Sequence, residues 1–121
     1  MKNICVYVAG KYSANNVMDV LENIRVGTKK CAELLKKGFV PFCPWLDYQF
    51  KFYEPSLKLE DYYRYSIAWL ERSDIVYVLP NYEKSKGTLK EIKRAQELGI
   101  PVIFSDSVLD YYCVAFKRCY R

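Results

Sequence analysis

Two periodicities alternate along this chain, and the alternation restricts it to very few architectures. Ile4–Ala9, Val40–Pro44, Ile75–Leu79 and Ile100–Phe104 are short apolar runs of strand length. Between them lie longer stretches in which apolar residues recur every three or four positions, the spacing of one helix face. Strands that are apolar throughout are buried on both sides of a sheet, and an intervening helix supplies the crossover that parallel neighbours need. The pattern predicts an α/β sandwich of three layers around a central parallel sheet. With 121 residues and neither a repeat nor a linker, one domain over 1–121 is expected, burying roughly two-thirds of its unfolded surface.

The punctuation is legible in places. A helix is expected over 17–37, with Val20, Ile24, Cys31 and Leu34/Leu35 apolar, a Gly27 interruption and a stop at Gly38. Residues 45–56 read as a long connection, and nine aromatic residues fall between Phe42 and Tyr65, dense for a loop. A second helix is expected over 58–72, its stripe being Leu59, Tyr62, Tyr63, Ile67 and Leu70. A third is expected over 88–98, and an aromatic helical tail over 109–120. Tyr111–Tyr120 is a candidate interface, with core packing as the equal alternative.

Composition excludes several chemistries. The chain has no histidine, which removes Ser-His-Asp and Cys-His catalysis and the usual zinc and iron ligand sets. No metal or cofactor is expected, and proton transfer falls to carboxylates, tyrosines or lysines. The 5 cysteines are odd in number and lack a Cys-x-x-Cys pair, so buried free thiols are expected rather than disulfides. A net charge of +5 is mild. It reads as a solvated basic surface suited to a small anionic ligand rather than as a nucleic-acid footprint. No apolar run reaches the ~18 residues of a membrane span and no signal-peptide pattern is present, so a cytoplasmic protein is expected.

In open α/β sheets ligands bind beyond the carboxyl ends of the strands. Here those ends are Gly10–Asn16, Trp45–Tyr53 and Asn81–Thr88. The third carries Ser85-Lys86-Gly87-Thr88-Leu89-Lys90-Glu91, a small-residue turn opening a helix, where free backbone N–H groups favour an anion. On a wheel of about 100° per residue, Leu89, Ile92 and Ala95 share one side, opposite Lys90, Lys93, Arg94 and Glu97. Glu91 aligns with Thr88 and Ala95 at the border of the apolar stripe. A carboxylate there can serve as nucleophile or acid/base. Thr88-x-x-Glu91 is also a capping box, in which Glu91 would only cap the backbone. Ser85 is a phosphate contact or a turn residue, and Gly87 fits a turn that needs φ > 0. Ser66 falls inside the second helix's apolar stripe, to bond its own helix carbonyl or to line the cleft. Trp45, Tyr48, Phe50 and Tyr53 are base-stacking or core aromatics. For a second acid, Asp47, Glu54, Asp61, Glu83 and Asp106 lie near the predicted loops, and Tyr7 or Tyr12 are alternative donors.

These residues carry a resemblance. Val6-Tyr7-Val8-Ala9-Gly10-x-Tyr12-Ser13, Asn23-Ile24, Gly38-Phe39-Val40-Pro41-Phe42-Cys43-Pro44-Trp45-Leu46, Trp69-Leu70-Glu71-Arg72-Ser73-Asp74, Ser85-Lys86-Gly87-Thr88-x-x-Glu91 and Gly99-Ile100-Pro101-Val102 follow one another in an order and spacing that resembles the nucleoside 2-deoxyribosyltransferase-like superfamily. The similarity is to its small bacterial and phage branch, and also to nucleoside 5′-monophosphate N-glycosidases. It covers Asn3 to Phe104.

The resemblance implies a flavodoxin-like Rossmannoid sheet and a homodimer or higher homo-oligomer. It implies cleavage or transfer at the N-glycosidic bond of a nucleoside or nucleotide, through a glutamate that attacks C1′. Glu91 stands at that glutamate's position, with Tyr7 beside it. Gly10, Ser13, Ser66, Ser85, Gly87 and Thr88 become ligand- or phosphate-binding candidates, and Trp45 and Tyr48 base-stacking candidates. The transferases commonly carry an aspartate six residues before the nucleophile. Serine, as at Ser85, occurs in the nucleotide hydrolases and contacts the 5′-phosphate. Family members usually carry an aspartate where this chain has Ser66. The expectation is an enzyme acting on a small nucleotide or nucleoside, with a non-catalytic nucleotide-capturing module as the alternative. Neither a membrane nor a nucleic-acid partner is expected.

Overall fold

The structure, a computed structural model, describes residues 3–119. In chain order the elements are β1 (Cys5–Ala9), α1 (Val17–Lys36), β2 (Val40–Phe42), a 3₁₀ helix (Pro44–Gln49), α2 (Phe50–Tyr53) and α3 (Leu59–Leu70). They continue with β3 (Ile75–Val78), a 3₁₀ turn (Tyr82–Lys84), α4 (Lys86–Glu97), β4 (Val102–Ile103) and α5 (Asp106–Cys119). The four strands form one parallel sheet in the order β2-β1-β3-β4, with Tyr7 level with Phe42 on one side and Val76 on the other.

Strand periodicity sorts the core into two clusters, one on each face of the sheet. Val6, Val8, Ile75, Tyr77 and Ile103 pack with Cys31 and Leu34 of α1, Trp45, and Leu109 of α5. Tyr7, Ala9, Val76 and Val78 pack with Leu70 of α3 and with Ile92 and Ala95 of α4. The expected α/β three-layer arrangement is what the chain forms. Two helices end at glycine, the first at the expected Gly38. Gly38, after α1, has φ +98° and Gly99, after α4, has φ +72°, left-handed conformations in which only glycine escapes a steric cost.

Gly27 is not a weakness in α1. A Cβ there would overlap the Trp45 ring, so the missing side chain lets the indole lie directly on the helix backbone. Trp45 is 1% exposed and donates from Nε1 to the Lys11 carbonyl oxygen at 2.9 Å.

Several boundaries differ from expectation. The 45–56 segment is largely helical rather than a loop, its 3₁₀ turn started by Pro44, whose fixed φ suits a first helical position. β4 is reduced to two residues, α4 begins at Lys86 rather than 88, and α5 begins at Asp106 rather than 109. In α3 only Leu70 is buried, while Leu59 is 62% exposed. The first turns of that helix overhang a crevice instead of the sheet, so much of its stripe faces a cleft. In α5, Tyr112 and Cys113 pack against the core and Tyr111 is exposed. Val114 is exposed too, and the 115–120 part of the interface candidate has its side chains outside the described residues. Cys5, Cys31, Cys43 and Cys113 are free, with only Cys31 buried. No described helix is long and apolar enough to cross a membrane.

Candidate functional site

The order β2-β1-β3-β4 reverses direction at β1, and the crevice beyond the carboxyl ends of β1 and β3 is where such sheets leave room for a ligand. A cleft of about 830 Å³ opens there, within the range of small-molecule sites. The loop after β1, the 3₁₀ helix, the start of α3 and the start of α4 form its walls. Gly10 ends β1 at a close approach. A Cβ there would come within 2.9 Å of Leu79 Cδ1 and 3.2 Å of Trp45 Cζ2, so a larger residue would have to push both side chains aside.

The floor holds one acid paired with one phenol. Tyr7, fully buried in β1, donates its hydroxyl to Glu91 Oε2. The ring is held by an aromatic stack: Tyr7 on Phe42 at 5.5 Å between centroids, and Phe42 on Trp69 at 5.5 Å, each pair within 21° of parallel. Burial pushes the Glu91 carboxyl up to about 7, against the opposing pull of the Tyr7 hydrogen bond. Tyr7 is itself driven well above its usual range by burial, then by the Glu91 charge. Ser66 acts on the same hydroxyl through a hydrogen bond that favours the charged form.

The α4 N-terminus removes the capping-box reading of Glu91. Ser85, not Thr88, is the N-cap: its Oγ accepts from the Thr88 backbone N–H at 3.3 Å and from the Thr88 hydroxyl at 2.8 Å. Glu91 is therefore too far into the helix to close a capping box, and its carboxylate turns to Tyr7 instead. Thr88 is 1% exposed, Ala95 is fully buried, and Leu89, placed with the apolar side from sequence, is 43% exposed. Gly87 lies inside the first turn without a positive φ. A Cβ there would meet the Tyr63 ring at 3.7 Å, ordinary contact that would narrow the mouth of the cleft.

The structure brings Tyr7, Gly10, Ser13, Ser66, Ser85, Gly87, Thr88 and Glu91 together around this one cleft. Trp45 is different. It reaches the cleft wall, but its ring is enclosed against Gly27 and offers no open face, so it is a core residue rather than a stacking platform. Tyr48 lines the cleft with one ring face under the Lys51 ammonium, 3.6 Å from the centroid. Phe50 and Tyr53 lie outside the cleft.

The walls carry more charge than the sequence pattern singles out. Lys11, Lys51, Lys84, Lys86 and Lys90 outnumber the two carboxylates, Glu91 and Asp47, giving an anion-attracting mouth over a protonatable floor. Asp47 is 5% exposed and accepts the Tyr12 hydroxyl at Oδ1, 2.6 Å away. Burial raises its carboxyl above the usual range although Tyr12 and Lys51 pull the other way. Tyr12 is raised as well, by burial and by the Asp47 hydrogen bond. The Tyr62 hydroxyl is buried at this wall with no partner among the described residues. No cluster able to hold a metal ion occurs among the described residues.

Residues 4–104 match the family described as "Domain of unknown function (DUF4406)". The chain belongs to that family. The match spans β1 to the end of the sheet and so includes every wall of the cleft, while most of α5 lies beyond the DUF4406 region. A solved structure of a 2-deoxyribosyltransferase from the psychrotolerant bacterium Bacillus psychrosaccharolyticus is similar, with a TM-score of 0.58 and 20% sequence identity over 81% of this chain and 69% of that one. The likeness is one of fold, and it agrees with the flavodoxin-like sheet that the DUF4406 chain forms. No curated protein matches the sequence.

Proposed function

We propose that the protein cleaves, or transfers at, the N-glycosidic bond of a nucleotide, with Glu91 as nucleophile. The observation that carries this reading is the Tyr7–Glu91 pair on the cleft floor, one helical turn beyond the N-terminus of α4. A carboxylate held by one phenol and otherwise desolvated is a poorly solvated nucleophile. The first turn of α4 and the lysines at the mouth suit a phosphate. A phosphorylated sugar anchored there presents its anomeric carbon towards Glu91. Ionised Glu91 attacks C1′ as the bond to the base breaks, giving a glycosyl ester that water or a second base resolves. Tyr7 orients the carboxylate.

The second reading is a module that captures a nucleotide without turnover. It is favoured by Ser66, which brings a hydroxyl to the cleft where the resemblance leads one to expect an aspartate. Incubation with deoxynucleoside monophosphates, followed by chromatography for free base, separates the two. Base release that disappears in Glu91→Ala supports the enzyme. Tight binding without release, little altered by Glu91→Ala, supports capture and refutes the catalytic reading.

A further inference from the structure

Five carboxyls lie near the loops that lead to the cleft, and four are out of play. Glu54 accepts the Ser56 hydroxyl at 2.5 Å, Asp61 accepts the Lys58 N–H at 2.8 Å, and Asp106 is shared between Lys30 and Tyr77. Glu83 is exposed and does not line the cleft. Asp47 alone lines it, and it and Thr88 are the buried polar residues described. Tyr12 occupies Oδ1, and Oδ2 has no partner among the described residues. The Asp47 charge is felt at the Tyr7 hydroxyl, so the two tyrosine–carboxyl pairs work within one field.

We propose that Asp47 is the acid that protonates the departing base, with Tyr12 as the positioning residue that holds it. This rests on the N-glycosidic reading above. With Tyr12 on Oδ1, Oδ2 is the edge of this carboxyl that can carry a proton to a ligand, and a departing purine or pyrimidine presents a basic ring nitrogen or exocyclic oxygen to receive it. As Glu91 Oε bonds to C1′, the C1′–N bond breaks and its electron pair stays with the base. The Asp47 proton moves to the base, so a neutral base leaves and Asp47 is left ionised. In the second half, water attacks C1′ and displaces the Glu91 carboxylate. Asp47 takes the proton that water loses, and both carboxyls return to their starting states. The chemistry thus has two carboxyls, Glu91 on the floor from α4 and Asp47 from the 3₁₀ helix, each with its own tyrosine.

The test compares a purine deoxynucleoside monophosphate with its N7-methylated counterpart, whose base leaves without needing a proton. Base release is measured for wild type, Asp47→Asn and Tyr12→Phe, with enzyme-free controls for the labile substrate. Asp47→Asn is expected to lose about 10²–10³-fold on the ordinary substrate, the usual worth of a positioned acid, and less than about threefold on the methylated one. Tyr12→Phe, which keeps the carboxyl, is expected to show the same selectivity at about tenfold, and serves alone if Asp47→Asn does not fold. Equal loss on both substrates, or no loss on either, overturns the role of Asp47 while leaving Glu91 as nucleophile. Wild type that releases base from neither substrate overturns the glycosidic reading and this inference with it.

Discussion

Replacing Glu91 by Gln should make the protein more stable, and only above a definite pH. The Glu91 carboxyl titrates near 7 in the fold against an ordinary 4.5. At 1.36 kcal/mol per pH unit, ionising it inside the protein costs about 3 kcal/mol. Solvent reaching the carboxyl through the cleft trims this towards about 2 kcal/mol. The sign follows from which state holds the proton. Below pH 4.5 the group is neutral both folded and unfolded, and there is no penalty. Between 4.5 and 7 the unfolded chain ionises first, so the wild type loses stability as pH rises, and the loss is complete above 7. Glutamine never ionises, and its carbonyl oxygen still accepts from Tyr7. Urea unfolding of both proteins from pH 4.5 to 8.5 should show a difference that grows across this window by 2–3 kcal/mol, on the order of 10 °C in Tm for a chain of this size. The raised Asp47 carboxyl is common to both proteins and cancels. A difference that stays flat with pH, or a variant less stable at pH 8, would refute the claim that Glu91 is a desolvated acid.

Three further outcomes follow from the same geometry. Tyr7→Phe removes the hydrogen bond that draws the Glu91 carboxyl down, so the acid limb of the rate profile should move to higher pH, with a lower rate at pH 7. Ser85→Ala deletes the α4 N-cap. Denaturant unfolding should show a loss of about 1 kcal/mol, and calorimetry should show weaker binding of a nucleotide with little change for the unphosphorylated nucleoside. Gly27→Ala drives a methyl into the Trp45 ring and should cost about 3 kcal/mol or more, read as a large fall in Tm.

The parts legible in the sequence are those written in local periodicity. Continuous apolar runs and glycine stops marked the strands and α1, because burial on both sheet faces leaves no polar alternation to confuse them. The Glu91 position could be read from a helical wheel for the same reason. What failed depended on contacts distant in sequence. Thr88 heads a plausible capping box in the sequence, and only the backbone path into α4 puts the cap at Ser85 instead. Trp45 sits in an aromatic-dense stretch that reads equally as platform or core, and its fate is set by Gly27 on another element. Asp47 has no local pattern at all: its hydrogen-bond partner is Tyr12, 35 residues away. The signal available was a lone carboxylate among aromatics, too common to single out. The α3 stripe misled for a related reason, since a wheel cannot distinguish a face that meets a sheet from one that roofs a cleft.

In the proposed mechanism Glu91 becomes covalently bonded to a sugar. A deoxynucleotide carrying fluorine at C2′ slows the second step by destabilising the oxocarbenium-like transition state, so an intermediate should accumulate. Intact-protein mass spectrometry after incubation with that analogue should show a gain of one fluorinated sugar phosphate. Peptide mapping should place it on Glu91, and Glu91→Gln should show no gain. Base release with no adduct at any time point, or an adduct on another residue, would contradict the account.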